Sequence, residues 1–192
     1  MTGLIILAAG SSSRLGKPKQ NLVYQRATLL QRAVNTALSS VCRPVVLVLG
    51  ANAEMIAPAV ENKEVAILQN QDWQEGMASS IRCGLDAINK AAPNLDSLIL
   101  MLCDQPFVYA GLLNRLVKTH TENYANIIAS AYSDTMGPPV LFGKKYFEEL
   151  LTLTGQEGAK KLIIKYNKSV VSIPFPEGGI DIDTVEDYEK LT

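Results

Sequence analysis

The residues best suited to chemistry fall in one run near the start of the chain, Leu7 to Gln20, which reads LAAGSSSRLGKPKQ. Arg14, Lys17 and Lys19 place three cations within six residues, with no acid among them. Gly10 and Gly16 permit tight turns and the close approach of a ligand to the backbone. Ser11, Ser12 and Ser13 add hydroxyls and N–H groups. Donors and positive charge gathered in this way are what a polyphosphate requires. The same composition also suits a solvated basic turn, so the residues alone leave both readings open. Neither familiar phosphate loop fits. Walker A needs four residues between its glycines and a hydroxyl after its lysine, whereas five residues separate Gly10 from Gly16 and Pro18 follows Lys17. The dinucleotide fingerprint GxGxxG is missing too.

Chemistry on a polyphosphate calls for a divalent cation, and carboxylates at strand ends are its natural ligands. Asp104 follows the apolar run 98–102 and precedes Gln105-Pro106, which halts a strand. That places its carboxylate at the carboxyl edge of the sheet, beside the first loop. An Asp before a turn or helix start is also common as a cap, and the residues do not separate the two readings. A second acidic cluster lies at Asp181-Ile182-Asp183-Thr184-Val185-Glu186-Asp187. Within it Asp187 reads as a first-turn helix acid, favoured by the helix dipole. His120, the single histidine, sits late in an amphipathic stretch and reads as structural or exposed.

These groups need a scaffold, and the apolar pattern supplies one. Short apolar runs at 4–7, 45–49, 65–68, 98–102, 127–129, 140–142 and 170–173 read as strands. They are continuous rather than alternating, which suggests strands covered on both faces. Between them lie helical patterns. Leu30, Ala33, Val34, Ala37 and Leu38 share one face; Met77, Ile81, Leu85 and Ile88 share another; Leu112, Leu113, Leu116 and Val117 a third. Such alternation predicts βαβ units. The expected fold class is therefore α/β, a single Rossmann-like three-layer domain over residues 1–192 with a mostly parallel central sheet. Gly137-Pro138-Pro139 and the stretch 174–179 read as turns.

Composition narrows the function classes. Hydrophobic residues make up 47% and charged residues 19%, a globular balance. The 18 basic and 19 acidic side chains nearly cancel, which argues against a nucleic-acid footprint or a polybasic membrane patch. No apolar run approaches the ~20 residues of a membrane span, and no signal peptide is evident, so the expected compartment is the cytoplasm. Cys42, Cys83 and Cys103 are scattered and read as reduced thiols.

The first run resembles the signature of the MobA-like nucleotidyltransferases, roughly LAxG-x-x-x-R-x-G-x-x-K, with Leu7, Ala8, Gly10, Arg14, Gly16 and Lys19 in register. NQDWQEGMASSIRCG (70–84), LCDQPFV (102–108), GPPVLFG (137–143) and DIDTVED (181–187) follow in the family's order. The resemblance implies Mg²⁺-dependent nucleotidyl transfer. Leu7, Ala8, Ala9, Gly10, Arg14, Lys19 and Asp104 would hold the nucleotide, Lys19 and Arg14 would stabilise the transition state, and Asp104 and Asp183 would hold the metal. Ser79 and Ser80 read by themselves as helix caps, but in similar enzymes their segment contacts base and ribose, which makes Gly76 and Ser80 contacts as well. Trp73 would line the acceptor pocket or anchor its loop. Ala8-Ala9, in place of the Gly-Gly of the guanylyltransferases, favours CTP over GTP. The implied acceptor is molybdopterin, with a molybdenum hydroxylase apoenzyme as a partner of the product. Val185 replaces the family's usual Pro. Gly137-Pro138-Pro139 and Gly155-Gln156-Glu157-Gly158 also depart from its pattern, at places expected to face the acceptor. A sugar phosphate or other phosphate-bearing acceptor, GTP as donor, and a non-catalytic nucleotide sensor or cofactor-insertion chaperone are the alternatives.

Overall fold

The computed structural model describes residues 1–12, 15–60, 64–182 and 184–191. Its strands are β1 (Thr2–Ala8), β2 (Val23–Tyr24), β3 (Ala27–Thr28), β4 (Val45–Leu49), β5 (Val65–Gln69), β6 (Ser97–Leu102), β7 (Ile127–Tyr132), β8 (Thr135–Gly143) and β9 (Val171–Pro174). Seven of them form a central sheet ordered β5-β4-β1-β6-β8-β7-β9, and each expected apolar run lies on one of these, except that Val170 precedes β9. β8 alone runs against its neighbours, pairing antiparallel with β6 and β7; the other pairings of this sheet are parallel. All seven residues of β1 are buried, as befits a strand covered on both faces. The short strands β2 and β3 make a separate hairpin and carry no apolar pattern long enough to announce it.

Helices cover the sheet on two sides. α1 (Leu29–Leu38), the short α2 (Ala53–Ile56) and α4 (Ala110–Asn123) close one face, where Leu30, Val34, Ile56, Leu112 and Leu116 pack with Leu4, Ile6 and Ile99. α3 (Met77–Ala91), α5 (Phe147–Leu151) and α6 (Ala159–Lys165) close the other, where Ile81, Leu85, Phe147 and Leu162 meet Ile5, Val48 and Leu100. Alternate residues of β1 thus serve opposite cores, and this partition defines the three layers. Thr28 starts α1 through a reciprocal capping box with Gln31. At the far end of α4, Tyr124 turns into the left-handed region and His120 Nδ1 lies 2.6 Å from the Ala125 carbonyl. The lone histidine is therefore structural. Among the described residues no helix is long and apolar enough to cross a membrane.

The structure corrects two expectations. Gly137-Pro138-Pro139 is not a turn but lies inside β8. The hairpin is made instead by Ser133 and Asp134, both at positive φ (45° and 58°), where Ser and Asp serve because their short polar side chains tolerate that region. The register passes from Ala129↔Val140 to Ser130↔Gly137, so the two prolines form a bulge, bridged by Ser130 Oγ donating to the Pro139 carbonyl at 2.8 Å. The bulge answers a missing ladder donor at each proline. Secondly, Met77, expected on the buried face of α3, is 39% exposed.

The order of strands decides where a ligand can bind. From β1 the chain builds outward through β4 and β5, then returns to lay β6 on the opposite side of β1. The carboxyl ends of β1 and β6 therefore flank a topological switch point, where open α/β sheets bind ligands.

Candidate active site

The phosphate-loop candidate leaves β1 and Asp104 leaves β6, so the switch point brings them together. Lys19 Nζ forms an ion pair with Asp104 Oδ2, with the two side chains only 16% and 14% exposed. The other carboxylate oxygen, Asp104 Oδ1, is buried and has no hydrogen-bond partner among the described residues. A buried anionic oxygen without a donor is costly unless something positive meets it. A hard oxygen of this kind fits Mg²⁺, which takes one or two carboxylates and completes its shell with water and phosphate. No group of three or more candidate metal-ligating side chains is gathered among the described residues. Cys103 adjoins Asp104. Burial first, and the Asp104 charge second, push its thiol up to about 12.

Arg14 and Asp183, both expected at this site, lie outside the described residues. Ile182 and Gly178 do meet the end of β6. The Ile182 amide donates to the Asp104 carbonyl at 3.2 Å, and Gln105 Nε2 donates to the Gly178 carbonyl at 2.9 Å. These bonds dock the C-terminal acidic segment against the end of β6. Thr184 and Asp187 cap α7 (Val185–Leu191), with Asp187 Oδ2 accepting from the Thr184 amide and hydroxyl at 2.9 and 2.8 Å. Asp187 is thus a helix-start acid, and Val185 in the place of Pro does not prevent the helix. Arg32 braces the segment after Asp104 from the other side, donating to the Pro106 carbonyl at 3.2 Å and stacking on Tyr24 at 4.8 Å.

A cavity of about 310 Å³ opens over this pair, lined by Leu7, Ala8, Ala9, Gly10, Lys19, Gly76, Ser80 and Asp104 among others. Every described residue expected to contact nucleotide borders it. Gly10 is not a turn residue: Ser12 takes the left-handed conformation (φ 55°), as does Gly16 (φ 66°), while the side-chain position of Gly10 faces open space with no atom within 4 Å. Both alanines are largely covered, Ala8 at 2% and Ala9 at 8% exposure.

The loop from β5 to α3 forms the opposite wall. Neither serine caps α3, whose N-cap is Gly76. Buried Asn70 instead donates to Ser79 Oγ at 2.8 Å and to Ser80 Oγ at 3.0 Å, and Ser79 donates on to the Asp72 and Gly76 carbonyls. Ser79 is internal scaffolding, while Ser80 reaches the cavity. Trp73 and Met77 line it as well. Gly76 has φ 115°, and a Cβ there would fall 2.3 Å from the Gly155 carbonyl oxygen. Replacing it with Ala should cost about 2 kcal/mol or more, a fall in melting temperature of roughly 4–8 °C by thermal denaturation. Unchanged stability would show that the wall has another support. Gln156, expected to face the acceptor, borders this same cavity, whereas Gly137–Pro139 do not.

Gln20, Gln105 and Asn70 fall within the runs singled out in the sequence, but nothing there assigns them a role. Each is a buried polar side chain that ties down its neighbours, Gln20 and Gln105 through carbonyls and Asn70 through the Ser79 and Ser80 hydroxyls, and a single glutamine or asparagine carries no spacing signal for that role.

Comparison with known proteins establishes the family. The model of the MobA-like NTP transferase domain matches residues 4–170. Nicotine blue oxidoreductase of Paenarthrobacter nicotinovorans is 30% identical over 97% of this chain and 94% of its own. The molybdenum cofactor cytidylyltransferase of Escherichia coli is 23% identical over 96% and 92%. The structure of Mycobacterium tuberculosis Rv0371c in complex with manganese superposes with a TM-score of 0.82 at 28% identity, covering 99% of this chain and 97% of that one. With this match across most of its length, the chain belongs to the MobA-like NTP transferase family, a family of nucleotidyltransferases.

Proposed function

We propose that the protein transfers CMP from CTP to a phosphate-bearing acceptor, molybdopterin being the acceptor favoured, with release of pyrophosphate. The observation that carries the reading is the pairing of Lys19 with Asp104 at the β1/β6 switch point, beneath a glycine-bearing loop. The cytidylyltransferase among the relatives and the Ala8-Ala9 pair support CTP.

In this reading an acceptor phosphate oxygen attacks the α-phosphorus in line. A new P–O bond forms as the bond to the β-phosphate oxygen breaks, and pyrophosphate carries away the electron pair. The attacking phosphate is already largely ionised near neutral pH, its second pKa being about 6, so no general base is required. That suits a site with no histidine. Lys19, joined by Arg14, stabilises the charge that accumulates around the α- and β-phosphates. Leu7 to Gly10 support the nucleotide, and Gly76 and Ser80 face its base and ribose. Asp104 and Asp183 would hold Mg²⁺, which when bound neutralises triphosphate charge.

The test is incubation of purified protein with Mg²⁺, one nucleoside triphosphate and one acceptor, following pyrophosphate. Release is expected with CTP and molybdopterin and is expected to be weaker with GTP. Release with sugar 1-phosphates but not molybdopterin would replace the acceptor. Tight CTP binding without turnover on any acceptor would replace the enzyme with a sensor.

A further inference from the structure

Gln20 is wholly buried, with 0% exposure, beside the lysine assigned to the phosphates. Its carboxamide spends both N–H donors on the loop: Nε2 donates to the Ala8 carbonyl at 2.8 Å and to the Gly10 carbonyl at 3.1 Å. Ser12 completes the clasp. Its hydroxyl accepts the Lys19 amide at 3.0 Å and reaches Gln20 Oε1 at 3.5 Å. The carbonyl between, that of Ala9, is taken by the Ala51 amide at 3.2 Å.

Three consecutive carbonyls are therefore turned toward protein donors. A trans peptide unit points its C=O and its N–H in opposite directions. Tying back the carbonyls of Ala8 and Gly10 thus aims the N–H groups of Ala9 and Ser11 away from Gln20. Those two residues border the cavity, and Gly10 leaves the space before them open. An anion meets a carbonyl oxygen as a like charge and an N–H as a donor. The orientation of these peptide planes therefore decides whether the loop attracts or repels phosphate.

We propose that Gln20 is the positioning residue that gives this loop its affinity for a polyphosphate, acting through the Ala8 and Gly10 carbonyls and not by touching the ligand. The inference rests on the nucleotidyltransferase reading and deepens it. Without the clasp the loop carbonyls are free to rotate toward the cavity, and the loss falls on the phosphates, not on the base.

The test compares wild type with Gln20→Met, similar in length but without donors, by titrating CTP and CMP in the presence of Mg²⁺. Wild type should prefer CTP over CMP, and the variant should lose that preference by at least about tenfold, the scale of one to two buried hydrogen bonds. A merely structural role would lower stability, and with it both affinities together, leaving the CTP/CMP ratio unchanged. An unchanged ratio overturns the proposal. If Gln20→Met does not fold, Gln20→Glu, of the same shape but acceptor-only, carries the same test and should lose more of the preference. Wild-type protein that binds no nucleoside triphosphate would instead overturn the nucleotidyltransferase reading, and this role with it.

Discussion

Lys19→Ala should lower turnover at least ~10²-fold, the scale for losing one charged donor to a transition state. The variant should behave differently toward the metal. In the present structure the ammonium occupies one oxygen of Asp104. Its removal leaves that carboxylate more exposed to any cation that enters, so divalent-cation affinity should hold or rise while turnover falls. Steady-state kinetics paired with a Mn²⁺ titration separates the two effects. Near-normal turnover would take Lys19 out of the mechanism. A parallel loss of metal affinity would mean that the lysine only holds Asp104 in place.

Asp104→Asn should remove the dependence on Mg²⁺ and lower turnover on the order of 10²–10³-fold, since a bound divalent ion supplies several kcal/mol at about 1.4 kcal/mol per decade. The substitution keeps the shape and one acceptor oxygen but removes the negative charge that pairs with the Lys19 ammonium. Some loss of stability is therefore expected, because breaking one side of a largely buried ion pair leaves the other uncompensated. Activity against Mg²⁺ concentration is the deciding measurement. A titration that matches wild type would exclude this carboxylate as a ligand.

Scaffold and site differ in how far the sequence reveals them, for physical reasons. Strands buried on both faces must be apolar throughout, so runs such as 45–49 and 98–102 are unmistakable. The convergence of Lys19 with Asp104, 85 residues apart, is legible because both follow strands that end on one edge. The Pro138-Pro139 bulge reads as a turn because proline forbids ladder bonds locally, and only the partner strand shows where the ladder resumes. Met77 misleads for a related reason. Helical periodicity marks a stripe, but the first residue of that stripe stands at a cavity mouth and not against the sheet. The amide clasps of Gln20, Gln105 and Asn70 are invisible in the sequence because each answers to other groups whose positions exist only after folding.

The contact between Gly76 and Gly155 has an evolutionary consequence. The amide of Ala78 donates to the Gly155 carbonyl at 3.1 Å, so the turn before α6 and the first residues of α3 are fastened main chain to main chain. Neither backbone can drift without the other, yet the neighbouring side chain, Gln156, borders the cavity and bears none of that fastening. Descendants of this enzyme could exchange that one side chain and admit a different guest, with the frame around it left as it was.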